Sequence, residues 1–204
     1  MTLPPSRQWH GAWNEGVPVG ELDLSPTPLA GVIRVQRHSQ ADARGTFARL
    51  FCAEALAPAG WRGAIAQINH SVTALCGTVR GLHYQQAPFA EMKLVSCVRG
   101  RVWDVALDLR RDSPTFGQWH AQELSPESGV AMLIPHGCAH GFQALSDDAQ
   151  LIYCHSAPYA PQAQQGIFAG DPQLAIAWPL PIHQLSERDA ALPVLGADFM
   201  GLAP

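Results

Sequence analysis

The sequence lacks a positive surplus. Thirteen Lys plus Arg stand against seventeen Asp plus Glu, a net charge of −4, so general binding to a phosphate backbone or an anionic membrane is not expected. Charged residues of both signs make up only 15% of the chain against 47% hydrophobic ones, a balance that excludes a disordered polyelectrolyte and supplies a core. No stretch approaches the roughly 20 apolar residues that span a bilayer, and the first residues lack the basic start and apolar run of a signal peptide. A cytoplasmic protein is therefore expected. C-x-x-C spacing is also missing, and the five cysteines are an odd number, so neither a disulfide scaffold nor a zinc ribbon is indicated. No internal repeat, low-complexity tract or charge block marks a linker across the 204 residues, and one domain is expected.

What is abundant is punctuation. Eighteen Gly and seventeen Pro exceed what a helix bundle tolerates and point to short strands joined by turns. Residues 1–30 are Pro-rich and read as an irregular amino-terminal arm. From Gly31 to about residue 160 the pattern is strand after strand: 31–36, 46–51, 64–72, 77–85, 92–98, 101–110, then segments around 131–135, 140–145 and 149–153. A single short helix is expected at 53–58. Residues 161–204 lose the strand rhythm, and Ser186 to Asp189 read as the start of a second short helix. About eight to ten strands with little helix give an all-β class, a jelly roll or small barrel with a few short peripheral helices.

The strand at 101–110 is the most informative. Alternation places Trp103, Val105, Leu107 and Leu109 on one face and Val102, Asp104, Ala106 and Asp108 on the other. Two carboxylates among small apolar groups suit a barrel interior that holds a polar pocket. The first face needs covering by a second sheet or another subunit.

Several titratable residues fall on or beside these strands, each with a structural reading beside the functional one. His83 follows Gly81, which permits close backbone approach or a bulge that aims the imidazole into a cavity; a semi-buried structural histidine is the alternative. Lys93 either snorkels to water or projects into the barrel mouth. Asp104 is costly mid-strand unless hydrogen-bonded or paired. Tyr153 reads as a core tyrosine with its hydroxyl at the edge, Asp189 as a helix-capping residue, and His140 as unremarkable taken singly. His83, His136 and His140 together could form a three-imidazole metal site, but the H-x-H pair of metal-binding cupin barrels is replaced here by His83-Tyr84-Gln85, so no metal is expected.

Read in order, the strings resemble the dTDP-4-dehydrorhamnose 3,5-epimerase family, metal-free cupins acting on nucleotide-linked 4-keto sugars. They are D-x-R-G-x-F at Asp42 to Phe47, Q-x-N-H-S at Gln67 to Ser71, V-R-G-L-H-Y-Q at Val79 to Gln85, and K-L-V at Lys93 to Val95. Then come V-W-D-V-A-L-D-L-R at Val102 to Arg110, D-S-P-T-F-G-Q-W at Asp112 to Trp119, I-P-x-G-x-A-H-G-F at Ile134 to Phe142, and L-S-E-R-D at Leu185 to Asp189. The resemblance implies a cupin-type barrel with His83 as general base, Asp189 orienting it, Tyr153 as the acid on the opposite face of the sugar, and Lys93 beside the ketone oxygen. It implies substrate-binding positions at Arg44, Phe47, Gln67, Asn69, Arg80, Asp104, His140 and Tyr159, no cofactor, a dTDP-linked 4-keto sugar as substrate, and a homodimer with the amino-terminal arm or first strands packing across the partner. Arg49 stands where many relatives carry a glutamate, reversing the charge near the nucleotide end. Inversion at both C3 and C5, inversion at one centre, and 3,4-ketoisomerisation all fit these residues. A non-enzymatic sugar-nucleotide binding module and a metal-dependent cupin oxygenase are the alternatives of other classes.

Overall fold

The computed structural model describes residues 21–203. Most of the expected amino-terminal arm, residues 1–20, lies outside them. Thirteen strands run in chain order: β1 (Leu22–Pro26), β2 (Ile33–Arg37), β3 (Gln40–Asp42), β4 (Gly45–Phe47), β5 (Gln67–Thr73), β6 (Val79–Gln85), β7 (Lys93–Arg99), β8 (Val102–Asp108), β9 (Trp119–Leu124), β10 (Val130–Ile134), β11 (Cys138–Ala144), β12 (Ala149–His155) and β13 (Gln164–Gly166). Among the described residues the α-helices are two four-residue ones, α1 (Ala53–Leu56) and α2 (Glu187–Ala190). One sheet has the order β1-β2-β10-β7-β12-β5 and the other β13-β6-β11-β8-β9, while β3 and β4 form a separate hairpin. Every ladder is antiparallel, and consecutive strands often change sheet, the jelly-roll cupin architecture.

Alternation decides what faces the interior. Val95 and Cys97 of β7, Val102 and Ala106 of β8, Met132 and Ile134 of β10, and Phe142 of β11 meet between the sheets in one buried cluster. The odd-numbered side of β8 packs outward, as the pattern requires. Instead of a second sheet, this chain's own carboxy-terminal segment supplies cover. Ile167, Leu174, Ile176, Trp178, Leu195, Phe199 and Leu202 of the carboxy-terminal segment lie over Val105, Leu107 and Leu109. That segment looks like loop because its apolar residues follow the contour of the sheet rather than a helical or strand period.

Four strands depart from the sequence reading: the short β3 and β13, which fall where no strand is expected, and β1 and β9. β1 forms where an irregular arm is expected, pairing with β2 along its whole length. β9 forms within Trp119–Leu124, a half-buried edge strand of mixed polarity with little alternation to detect.

Asp108 sits at the end of the barrel interior and is fully buried. Arg110 grips it with two bonds, Nε to Oδ1 at 2.9 Å and Nη2 to Oδ2 at 2.8 Å; the Thr115 hydroxyl donates to Oδ2 at 2.7 Å, and that of Ser113 also donates there. Burial pushes this carboxyl up, but the hydrogen bonds from Arg110, Ser113 and Thr115 outweigh it and hold the group below the usual carboxylate range. Its stabilisation is therefore complete above the unfolded-state pKa of about 3.9 and is lost as pH falls through the lower folded value. Asp108→Ala strands the partly buried Arg110 and is expected to lower unfolding free energy by about 3 kcal/mol in urea titrations at neutral pH. A loss under about 1 kcal/mol would show that Arg110 finds water instead.

Candidate active site

One open end of the barrel carries a cavity of about 870 Å³ whose walls come from both sheets, with β5, β7 and β12 on one side and β6 and β11 on the other. His83, on β6, enters from the five-stranded sheet. It sits beside an irregularity where β6 and β11 lose register between His140 and Phe142. Gly81, at φ +127°, permits this: a Cβ there would meet Gly141 Cα at 2.5 Å.

Asp189 reaches His83 from 106 positions away. Its Oδ1 is 2.7 Å from His83 Nε2, and its Oδ2 accepts the Gly81 N–H at 3.2 Å. Ser186 caps α2 by accepting the Asp189 N–H at 3.0 Å, so Asp189 belongs to a capped helix start as the sequence suggests, yet its carboxylate is spent on the histidine. Burial pushes this carboxyl up. The hydrogen bond to His83, the Gly81 N–H and the Ser186 hydroxyl outweigh that and hold it below the usual carboxylate range. An ionised acceptor at Nε2 places the His83 proton there and leaves Nδ1 as a base.

Lys93, the chain's only lysine, lies on the interior face of β7 and is buried rather than snorkelling. Its Nζ lies 3.0 Å from Glu91 Oε1 and donates to the His83 carbonyl at 3.2 Å. Deeper still, His140 Nε2 lies 2.7 Å from Asp104 Oδ1, with Asp104 wholly buried. Burial pushes the Asp104 carboxyl up, against the opposing pull of His140 and Lys93. Lys93 thus stands in the cavity above a hydrogen-bonded carboxyl–imidazole pair.

Tyr153, on β12, comes from the sheet opposite His83. Its hydroxyl lies 3.1 Å from Ser71 Oγ, and its ring meets that of His140 edge-on at 5.9 Å. Burial, more than its neighbours, pushes the phenol above its ordinary range, so it remains protonated at neutral pH.

Gln67, Asn69, Arg80 and Tyr159 gather toward the mouth. Arg80 is braced by Thr73 Oγ1 and the Val72 carbonyl, both at 3.1 Å. The structure thus brings nine of the expected site residues to one cavity wall, and Asp104 sits directly behind His140. Arg44 and Phe47 lie elsewhere. They are on the exposed β3–β4 hairpin, with Arg44 paired to its neighbour Asp42 and Phe47 61% exposed. His136 lines a different cavity, near Arg110, so the three imidazoles weighed for a metal are not gathered. Among the described residues no group of three His, Cys, Asp or Glu side chains is arranged to hold a metal ion.

Three lining residues escaped the sequence reading. Ser71 and Glu91 carry no signal of their own, being a small polar residue and an acid in a turn. His155 could have been found, because strand alternation places it on the same face as Tyr153 two residues earlier.

The dTDP-4-dehydrorhamnose 3,5-epimerase family profile matches residues 26–197. A dTDP-4-dehydrorhamnose 3,5-epimerase of Sinorhizobium fredii is 38% identical over 181 residues, covering 88% of this chain and 93% of its own length. A dTDP-4-dehydrorhamnose 3-epimerase of Streptomyces niveus is 40% identical over 185 residues, with coverage of 90% and 89%. Among solved structures, a dTDP-6-deoxy-D-glucose-3,5-epimerase of Legionella pneumophila in complex with dTDP-4-keto-L-rhamnose superposes with a TM-score of 0.83 at 37% identity, covering 90% of this chain and 98% of that one. The chain belongs to the dTDP-4-dehydrorhamnose 3,5-epimerase family.

Proposed function

We propose that this protein epimerises a dTDP-linked 4-keto-6-deoxyhexose at C3 and C5, converting dTDP-4-dehydro-6-deoxy-D-glucose to dTDP-4-dehydro-L-rhamnose. The observation that carries the reading is the placement of a histidine–carboxylate pair and a protonated tyrosine on opposing sheets of one cavity, with a buried ammonium between the mouth and the floor.

The carbonyl at C4 acidifies the hydrogens on both C3 and C5. His83 Nδ1 takes one of these protons, and Asp189 stabilises the imidazolium that results. The electron pair moves onto O4, where the Lys93 ammonium meets the developing charge in a site with little water to screen it. Tyr153 then delivers its proton to the carbon from the other face and the centre is inverted. Solvent restores the phenol and removes the proton from the imidazolium. Repeating the cycle at the second carbon uses the same groups, since both flank one carbonyl. No redox cofactor or metal enters the scheme.

Gln67, Asn69, Arg80 and Tyr159 stand at the mouth, where the nucleotide diphosphate would lie. Arg44 and Phe47 can serve the same end only from another copy, so we read the protein as a homodimer whose β3–β4 hairpins reach the partner's cavity. Light scattering is expected to give twice the 22.0 kDa chain mass. The carboxy-terminal segment covers the barrel and delivers Asp189, which favours one domain over residues 1–204. All five cysteines are free, and among the described residues no helix is long and apolar enough to cross a membrane, in keeping with work in the cytoplasm.

The test is NMR of the sugar during turnover in deuterated buffer. Deuterium at both C3 and C5 of an inverted product is expected. Label at one carbon alone makes the protein a mono-epimerase, as the name of the Streptomyces niveus relative would have it. Label at neither, with tight binding, makes it a binding module.

A further inference from the structure

His155 is a polar group inside the cavity that this scheme leaves idle. It stacks on Tyr153, with ring centroids 6.2 Å apart and planes at 29°, and lies opposite Lys93 on β7 and Gln67 on β5. Its Nε2 is 3.4 Å from Asn69 Nδ2, and the polarity of that contact is set two residues away. The backbone N–H of Tyr159, which can only donate, reaches Gln67 Oε1 at 2.9 Å. That turns the Gln67 amide so that its Nε2 donates to Asn69 Oδ1 at 2.8 Å. Asn69 is left presenting its NH₂ to the imidazole, and His155 Nε2 has to accept. A neutral imidazole accepting at Nε2 carries its proton on Nδ1. Among the described residues this Nδ1 has no hydrogen-bond partner, and it is not sealed from solvent in the wall the ring contributes to the cavity.

We propose that His155 is a further substrate-binding group: a neutral N–H donor at Nδ1 that bonds the C4 oxygen of the bound sugar and works beside Lys93 as the carbonyl becomes an enolate. The inference rests on the reading of this cavity as a 4-keto sugar epimerase site. The charged and titratable groups that share the cavity with the ring include Lys93 on β7 and Glu91 just before it, His140 on β11, His83 on β6 and Tyr153 on β12 itself. Burial, with Lys93 and His140, pushes the imidazole down to about 4, so it takes no second proton at neutral pH. A second proton would also set N–H against N–H at Asn69. A phosphate is better matched by a cation, and exposed Arg80 stands nearer the mouth for that purpose. A carbonyl is polarised effectively by a neutral imidazole, which adds no charge next to an ammonium.

Two substitutions separate the donor from the acceptor. The amide of His155→Asn sits at the level of Nδ1 and can keep the donor; that of His155→Gln reaches the level of Nε2 and keeps only the bond to Asn69. With dTDP-4-keto-6-deoxyglucose in deuterated buffer, His155→Gln is expected to lower kcat on the order of 10²-fold with KM changed by less than about threefold. His155→Asn is expected to stay within about tenfold of the parent kcat. Independently of any variant, ¹⁵N NMR of the ligand-free enzyme should show His155 protonated at Nδ1 and not at Nε2. The proposal is overturned if glutamine serves as well as asparagine, if both variants lose kcat equally, if either effect falls on KM alone, or if the proton is found on Nε2. Absence of deuterium incorporation by the unaltered protein would instead bring down the epimerase reading, and this inference with it.

Discussion

Replacing Asp189 with asparagine is expected to lower epimerisation on the order of 10⁴-fold while leaving the fold in place, the scale seen when the carboxylate orienting a catalytic histidine is lost. The size follows from the second bond that the carboxylate makes. Gly81 N–H donates to Oδ2 and has no alternative role, so an amide at position 189 satisfies it only by turning its oxygen toward Gly81. The NH₂ then faces His83 Nε2 across the 2.7 Å contact, and the imidazole must accept there. Its proton moves to Nδ1, the atom that has to take a proton from the sugar. The opposite amide orientation sets two donors against each other at Gly81. The favoured orientation therefore disables the base by tautomer rather than by distance. Unfolding curves should change little, because the Asp189 backbone N–H still reaches Ser186 Oγ and the cap of α2 is kept. A drop in deuterium incorporation of less than about tenfold would show that His83 needs no orienting partner and is not the base.

The electrostatics of the cavity form one arrangement. Glu91 offsets the Lys93 charge on one side, and its second oxygen is buried without a hydrogen-bond partner. Asp104 and His140 are hydrogen-bonded to each other beneath it. Neutral His155 adds nothing to the positive charge. The ammonium is thus placed where an enolate oxygen gives it a second anionic neighbour that solvent does not supply, which makes its interaction stronger in the transition state than with the neutral ketone.

Much of this was legible in the sequence, but unevenly. Period-two alternation in β8 assigned Asp104 and Asp108 to the interior and the Trp103 to Leu109 face to the exterior without any contact being known. The same rule, applied to β12, would have paired His155 with Tyr153. The cover over the outer face was not legible, because residues 167–202 follow the shape of the sheet they lie on and have no period of their own. The pairing of His83 with Asp189 spans too much chain for any local pattern and came only through resemblance. Arg44 and Phe47 show the limit of that route: family strings identify them as site positions, yet the fold of one chain leaves them on an exposed hairpin away from the cavity.

Tyr153→Phe separates the two halves of the reaction. The ring survives, with its edge-on contact to His140 and its stack on His155, and only the hydroxyl that meets Ser71 is removed. His83 and Lys93 still generate the enolate, and the imidazolium can exchange its proton with solvent and return a deuteron to the face it came from. Inverted product is expected to fall about 10²- to 10⁴-fold, while recovered starting sugar continues to gain deuterium. A purely structural tyrosine predicts otherwise: exchange and inversion would fall together, or neither would fall. The raised phenol adds a pH expectation with a definite sign. The acid must be protonated to act, and burial moves its loss of proton above the ordinary value of about 10, so no alkaline decline below that pH should trace to Tyr153. An alkaline limb in the parent enzyme that disappears in the phenylalanine variant would contradict this, and would mean that water reaches the phenol in the enzyme at work and that the protein does not hold the proton for the second face.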